Sequence, residues 1–266
     1  MKRLNKFFNK RSSWSIPYFL FLLFVVVLPL VLICFYAFHD GNTGDLTLKN
    51  FEKFVSNQEA ANTFVYSIGI ALITTILCIL LGYPAAYILS NSSLCRSKIM
   101  VILFILPMWI NILVRTLATV ALFDFMRLPL GEGALIFGMV YNFLPFMIYP
   151  IYNTMQKMDH SYVEAAQDLG AGPFTVFRKV IFPLSMPGVM SGIMMVFMPT
   201  ISTFAIAELL TMNNIKLFGT TIQENINIGM WNYGAALSLI MLVIIFVMEF
   251  FSNSDEDRAS NEGGII

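Results

Sequence analysis

Charged residues are scarce in this sequence. Asp, Glu, Lys and Arg make up 12% of the 266 residues, whereas hydrophobic residues make up 58%. Soluble domains average about 25% charged residues, and the mean hydropathy of this chain is +0.75. The composition therefore predicts a membrane protein.

Several kinds of chemical site are missing as well. The cysteines, Cys34, Cys78 and Cys95, lie far apart and form no CxxC pair, and His39 and His160 fall in different predicted loops. We therefore expect neither a metal site nor redox chemistry. The sequence has no GxxxxGK[ST] phosphate loop, GxSxG motif or HExxH motif, which argues against ATP binding by that route and against an enzyme. We expect no cofactor in this chain.

Six apolar runs are long enough to cross a bilayer, which takes about 20 helical residues. They are residues 17–38, 63–89, 99–122, 134–152, 186–210 and 233–251. The first is too long for a signal peptide and lacks a small-residue cleavage site, so we predict a retained span. Prolines are expected to interrupt spans three, four and five. The sequence predicts an all-α membrane protein with six transmembrane helices.

The basic residues are distributed unevenly between the two sides. If the N-terminus is cytoplasmic, that side carries eleven Lys and Arg residues and the opposite side four, which are Lys49, Lys53, Arg127 and Lys216. Because cytoplasmic loops carry the excess of basic residues, both termini are predicted to be cytoplasmic. Residues 1–62 would then hold a cytoplasmic segment, the first span and an external loop. Residues 252–266 would form a disordered cytoplasmic tail.

One polar, small-residue stretch, SYVEAAQDLGAGPFTVFRKVIFPLSMPG, separates spans four and five on the predicted cytoplasmic side. Ser161 and Glu164 have the spacing of a capping box, and Gly170 suits a left-handed helix end. Pro173 suits the first turn of a second helix, which Pro183 is expected to end. The stretch therefore predicts two short helices at an angle outside the bilayer.

Helical spacing also predicts how the second short helix packs. Phe174, Phe177 and Ile181 recur on one face and are expected to contact the bundle, while Arg178 and Lys179 face outward.

The same stretch resembles the EAA signature of ABC importer permeases, E-A-A-x3-G-x9-I-x-L-P. Glu164-Ala165-Ala166 is followed after three residues by Gly170 and, after nine more, by Val180-Ile181-Phe182-Pro183. The resemblance extends over about residues 63–251. The segments LPMWINILVRT, YNFLPFMIYPIYNTMQKMD and EAAQDLGA look like those of spermidine/putrescine importer permeases.

This resemblance implies a type I ABC importer transmembrane domain over residues 63–251, with residues 153–187 as its cytoplasmic coupling loop. It also implies a cytoplasmic ATPase dimer that binds ATP and Mg²⁺, a second related permease, and an extracellular or periplasmic polyamine-binding protein. The remaining partner is the lipid bilayer, and no nucleic acid is expected. The coupling residues would be Glu164, Ala165, Ala166, Asp168, Gly170 and Pro183.

Ionisable groups inside a span cost roughly 2.5–3.5 kcal/mol on insertion scales, so each is a functional candidate. Glu208, near the outer end of span five, and Asp124, just beyond span three, are predicted to offset substrate charge. Trp109 and Tyr141 would provide aromatic faces for a cation. Arg115 lies within span three, where it either lines the path or pairs with Asp124 or Glu208.

Three alternatives remain open. The same architecture could import an anion, a sugar or a metal chelate, and Arg115 would suit an anion. More acids than bases lie near the predicted outer half, which favours a cation. A secondary transporter is expected to show an internal repeat and no coupling loop, and an intramembrane enzyme requires a nucleophile–base pair or metal cluster. The sequence shows no internal repeat, nucleophile–base pair or metal cluster, and it does contain a predicted coupling loop.

Overall fold

The computed structural model describes residues 16–41, 43–91 and 98–262. Within these ranges the regular secondary structure is helical, apart from one isolated antiparallel bridge between His39 and Leu46. The helices in the first part are α1 (Ile16–Leu22), α2 (Leu28–Ala37), α3 (Lys49–Ser56), α4 (Gln58–Ser90), α5 (Lys98–Ile105), α6 (Ile112–Phe125) and α7 (Glu132–Lys157). They are followed by α8 (Ser161–Asp168), α9 (Pro173–Val176), α10 (Phe182–Ser202), α11 (Ala205–Thr211), α12 (Phe218–Asn227) and α13 (Trp231–Glu262).

In the part of the chain that the structure describes, five helical segments are long and apolar enough to cross a membrane. They are Pro17–Ala37, Gln58–Ser90, Glu132–Lys157, Pro173–Ser202 and Trp231–Phe250. A sixth span is possible if the bent pair Ile99–Trp109 and Ile112–Phe125 is counted as one. The all-α, multi-span architecture predicted from the sequence is confirmed.

The predicted third span is not one straight helix. Its two halves meet at an angle of 98°. The chain tightens into a 3₁₀ turn over Leu106–Trp109, which contains Pro107, and Ile110 is extended. The side chain of Asn111 then accepts the backbone N–H of Leu113 at 2.8 Å and starts α6 as its N-cap. The bend therefore follows from a proline and a capping residue four positions apart.

The predicted fifth span is shifted. The helical segment begins at Pro173 and ends at Ser202, and the short helix α11 (Ala205–Thr211) follows after a two-residue break. The tail also differs from its prediction, because α13 continues to Glu262. The sequence from Ser252 to Glu262 contains neither proline nor glycine, so no helix breaker interrupts that backbone.

The residue contacts divide the chain into two units. The first comprises residues 1–58 and 222–243. In it, Asn50 donates to the carbonyls of Ala37 and His39 at 3.0 Å each. Asn232 donates to those of Tyr36 and His39 at 3.1 and 2.8 Å. Two carboxamides thus satisfy carbonyls that the end of α2 leaves without a helical partner.

The second unit comprises residues 59–221 and 244–266. Its core is formed largely by α4, α7 and α10. Two glycines bring α10 close to α7: a Cβ at Gly188 would lie 2.8 Å from the carbonyl oxygen of Pro150, and one at Gly192 would lie 3.2 Å from that of Met147. Small residues at a helix contact allow this close backbone approach. This unit contains all the candidate site residues.

Candidate functional site

Helix α8 begins differently from the capping box that we predicted. Ser161 is the first helical residue, and the N-cap His160 makes no side-chain capping bond. Asp159 caps the helix instead, because its carboxylate accepts a hydrogen bond from the backbone N–H of Ser161 at 2.9 Å. Hydrogen bonds from the backbone N–H and the hydroxyl of Ser161 lower the pKa of Asp159 below its ordinary value.

The other end of α8 is closed by a Schellman motif. Gly170 has φ +79°, and its N–H donates to the carbonyl of Gln167 at 2.8 Å. The N–H of Ala171 donates to the carbonyl of Ala166 at 3.0 Å. A Cβ on Gly170 would meet no atom within 4 Å, so glycine is required here for its backbone conformation alone. The predicted role of Gly170 as a helix end is confirmed.

The second helix starts at Pro173, as predicted, but it does not end at Pro183. A π-helical turn covers Phe177–Ile181 and leads directly into α10. The N–H of Phe182 bonds to the carbonyl of Phe177, five residues back. Because proline crowds the preceding turn and lacks an N–H, the wider π turn accommodates Pro183 without a break. The coupling loop therefore runs into span five as one helix.

The first span contains the same arrangement. A π turn over Leu23–Val27 ends two residues before Pro29, and the N–H of Leu28 bonds to the carbonyl of Leu23. The π turn over Phe177–Ile181 also ends two residues before its proline. In both spans a π turn accommodates the proline, and the helix continues.

The second helix packs against the end of α4. Phe177 lies edge-on to Tyr83 and Tyr87, with ring centroids 5.9 and 6.0 Å apart. Ile181 is buried, as predicted. Phe174 was predicted to pack with them, but its side chain is 73% exposed. It stands in the first turn of α9, before the part of the helix that reaches α4.

An exposed apolar surface accompanies the polar residues of the EAA motif. The motif residues Glu164, Ala165 and Asp168 are exposed, and Ala166 is half-buried. Three large apolar side chains are exposed in the same loop: Tyr162 (58%) in α8, Leu169 (89%) directly after it, and Phe174 (73%) in α9. We refer to these three residues as the apolar surface of the coupling loop. Outside a bilayer, such side chains suit a protein partner.

A pocket of about 180 Å³ lies between α8 and the bundle. Its walls include Val163 and Gln167 of α8, Tyr87 of α4, Met155 of α7 and Ile181 beside α10. The space beneath α8 is therefore not fully packed, although Val163 and Ala166 contact the hydrophobic core.

Arg115 is almost completely buried, at 4% exposure. Its Nη1 donates to the carbonyl of Asn142 at 3.1 Å. Asn142 lies three residues before Pro145, where a proline weakens the helical hydrogen bonds of the preceding turn. Within the described part of the chain, no carboxylate lies within 4.0 Å of Arg115. The predicted ion pair with Asp124 or Glu208 is therefore wrong.

The side chain of Asn142 completes a buried polar cluster. Its Nδ2 donates to the carbonyl of Gly138 at 2.8 Å and to Thr116 Oγ1 at 3.4 Å. Two atoms of the cluster, Arg115 Nε and Asn142 Oδ1, have no hydrogen-bond partner among the described residues. We call Arg115, Thr116 and Asn142 the polar centre of spans three and four.

The other predicted path residues lie nearer the surface. Asp124 is exposed in the last turn of α6, and Glu208 is partly exposed in the first turn of α11. Trp109 is 87% exposed and Tyr141 is 43% exposed. Tyr141 lies close enough to Arg115 to interact with it electrostatically. Among the described residues, no hydrogen bond, ion pair or ring contact joins any two of these predicted path residues.

Sequence reasoning missed Glu132. This exposed residue lies in the first turn of α7, and its carboxylate lies near Tyr66. The preceding residue, Gly131, donates its N–H to the carbonyl of Leu210 at 3.0 Å. The first turn of α7 therefore lies beside α11, the helix that carries Glu208. A carboxylate two residues before the predicted fourth span was the available signal.

Comparisons with known proteins agree with this architecture. Residues 78–254 match the family model described as the inner membrane component of binding-protein-dependent transport systems. The spermidine/putrescine transport system permease protein PotB of Haemophilus influenzae is 32% identical over 94% of this chain and 94% of its own.

Among solved structures, a permease chain of a bacterial ABC transporter involved in the import of the acidic polysaccharide alginate has a TM-score of 0.71. It is 16% identical and covers 97% of this chain and 98% of its own. A second structure of a bacterial alginate ABC transporter, in complex with a pentasaccharide-bound periplasmic protein, has a TM-score of 0.67 at 14% identity, with coverage of 97% and 96%. At these identities the likeness concerns the fold.

Proposed function

The chain belongs to the family of binding-protein-dependent transport system inner membrane components and is an ABC importer permease subunit, and we propose that it imports polyamines such as spermidine and putrescine. The observation that carries this proposal is the similarity to the Haemophilus influenzae spermidine/putrescine permease, which extends over 94% of both chains. The chain would supply the membrane path, whereas ATP hydrolysis takes place in another subunit.

The distribution of charge supports a cationic substrate. The carboxylates of Asp124, Glu132 and Glu208 are exposed or partly exposed, so they are accessible to a solute. Arg115 is 4% exposed and donates to a backbone carbonyl, so it is not accessible to a solute. This burial removes the main argument for an anionic substrate.

The path residues have two proposed roles. Glu208 and Asp124 would offset the charge of an ammonium group, and the exposed rings of Trp109 and Tyr141 would provide cation–π contacts. Each such contact contributes about 0.5–2 kcal/mol, depending on desolvation. Several weak contacts suit transport, because a solute must leave the path as well as enter it.

The partners of the chain follow from this role. We propose a cytoplasmic ATPase dimer that binds ATP and Mg²⁺, a second related permease, and an extracellular or periplasmic polyamine-binding protein. The coupling loop would face the ATPase, with both termini of the chain on the same cytoplasmic side. Glu164 and Asp168 would meet basic groups of the ATPase, and the apolar surface of the coupling loop would fill an apolar groove on it.

The coupling loop is built to transmit displacement. Asp159 holds the start of α8 and the Schellman motif at Gly170 holds its end. From Pro173 the chain continues as one helix through Pro183 into span five. ATP-driven closure of the ATPase would therefore move α8 and, with it, the inner end of span five. Such movement would alternate the path between inward- and outward-facing states.

Replacing Gly170 by valine tests the coupling role. A β-branched residue at φ +79° is strained by about 1–3 kcal/mol, so α8 should lose its fixed end. We expect loss of ATPase stimulation by the loaded binding protein and of spermidine uptake. Gly172→Ala is the matched control, because Gly172 has φ −69° and a Cβ there meets nothing within 4 Å. Unchanged stimulation and uptake in Gly170→Val would refute the coupling role.

Replacing Glu208 by glutamine tests the polyamine path. Spermidine uptake should fall while the assembly of the transporter is preserved. Glu249→Gln is the matched control, because Glu249 is an exposed carboxylate of α13 with no proposed place on the path. Full uptake in Glu208→Gln would remove Glu208 from the path.

A further inference from the structure

Tyr83 of α4 contacts both ends of the π turn in the coupling loop. Its ring lies edge-on to Phe177, the first residue of the turn, with centroids 5.9 Å apart. It also packs at 5.8 Å against Phe182, the residue that follows the turn. One aromatic side chain of span two therefore bridges the whole π turn.

A buried hydrogen bond fixes this side chain. Tyr83 Oη lies 2.8 Å from Ser185 Oγ; Tyr83 is 8% exposed and Ser185 is fully buried. Ser185 Oγ donates its one hydrogen to the carbonyl of Phe182 at 2.9 Å. It therefore accepts the hydrogen of Tyr83. The phenol is thus tied to α10 beyond Pro183, as well as being packed against the turn before it.

The position of this contact has a mechanical consequence. A π turn lacks the regular hydrogen bonds of an α-helix, so a displacement applied to α8 could be absorbed there by bending. A side chain that holds both ends of the turn opposes this bending. We propose that Tyr83 and Ser185 are positioning residues that make the π turn transmit the movement of the coupling loop to spans five and two. This inference rests on the proposed coupling function.

The test uses the complete purified transporter in proteoliposomes. Spermidine taken up and ATP hydrolysed are measured together for Tyr83→Phe, Ser185→Ala and the double variant. Tyr83→Phe keeps the ring and removes only the hydroxyl. Spermidine uptake per ATP should fall about fivefold in each single variant, the factor that corresponds to the loss of one hydrogen bond of typical strength. The double variant should fall no further, because both substitutions remove the same bond.

Tyr87→Phe is the matched control. Tyr87 also packs edge-on against Phe177, but among the described residues its hydroxyl makes no hydrogen bond. Uptake per ATP should remain at the wild-type value in this variant. A merely structural role of the Tyr83 hydroxyl would lower the amount and thermal stability of the transporter but leave uptake per ATP unchanged.

Three results would overturn the inference: an unchanged ratio in Tyr83→Phe and Ser185→Ala, additive losses in the double variant, or an equal loss in Tyr87→Phe. Measuring Gly170→Val in parallel distinguishes a wrong role for Tyr83 from a wrong coupling function. If Gly170→Val uncouples the transporter and Tyr83→Phe does not, only the role of Tyr83 is refuted. If neither uncouples it, the coupling function itself is refuted.

Discussion

The coupling loop and the polar centre of spans three and four are stabilised in opposite ways. In the loop, the Asp159 carboxylate closes the start of α8, backbone groups close its end, and the side chains of the EAA motif are largely exposed. In the polar centre, side chains bond to backbone carbonyls, and Arg115 and Asn142 are buried. The loop is thus closed by local hydrogen bonds, and its exposed side chains are accessible to the proposed ATPase. The centre is a cross-link within the bundle.

The two regions also differ in how completely their polar groups are satisfied. Both ends of α8 have their hydrogen-bond partners within the loop. In the polar centre, Arg115 Nε and Asn142 Oδ1 have no partner among the described residues. A buried charge without a carboxylate partner carries a desolvation cost. The stability of the centre should therefore depend on side-chain volume and hydrogen bonding more than on its charge.

Replacing Arg115 is expected to have the largest effect. Arg115→Ala removes a long buried side chain and the donor to the carbonyl of Asn142, which should cost about 2–5 kcal/mol of stability. Arg115→Met keeps most of the volume and removes the buried charge, so its loss should be clearly smaller. The apparent melting temperature of the purified transporter measures both. Equal destabilisation by the two variants would show that the guanidinium group, and not the volume of the side chain, stabilises the centre.

Local rules predicted the parts of the coupling loop that depend on the backbone alone. Gly170 could be assigned because a left-handed helix end favours glycine whatever surrounds it. Pro173 could be assigned because a proline suits the first helical turn. Both follow from the conformational preferences of a single residue.

The features that sequence reasoning missed depend on three-dimensional neighbours. The acceptor of Arg115 is a backbone carbonyl near Pro145, and a carbonyl has no signature in the sequence. Pro183 continues the helix because a π turn accommodates it, in a position where Tyr83 supports that turn. The cap of α8 was misassigned because Asp159 lies two residues before Ser161 and bonds to its N–H.

Replacing Leu169, in the apolar surface of the coupling loop, is expected to have the next largest effect. Leu169 is 89% exposed, and a large apolar side chain in an interface can carry about 2 kcal/mol of binding energy. Leu169→Ser should therefore weaken the affinity for the ATPase about 30-fold, which titration of the ATPase against the permeases in detergent would measure. Gln167→Ser is the control, because Gln167 lines the pocket beneath α8. Unchanged affinity in Leu169→Ser would place the ATPase elsewhere.

The smallest effect is expected from the cap at the start of α8. It sharpens the contrast between the coupling loop and the polar centre of spans three and four. The pKa of Asp159 is lower in the folded protein than its ordinary value of 3.8. Its contribution to stability is therefore fully present above the ordinary pKa and is lost as the pH falls through the lowered pKa.

At neutral pH, Asp159→Ala should accelerate hydrogen exchange in the first turn of α8. This difference from the wild type should shrink in acid, once the carboxyl group is protonated. Asp159→Asn keeps a neutral acceptor oxygen, so it should give the intermediate protection of the protonated carboxyl group, with no such pH dependence. If the alanine variant exchanges no faster than the wild type at neutral pH, the carboxylate does not cap α8, and the frame of the coupling loop depends on Gly170 alone.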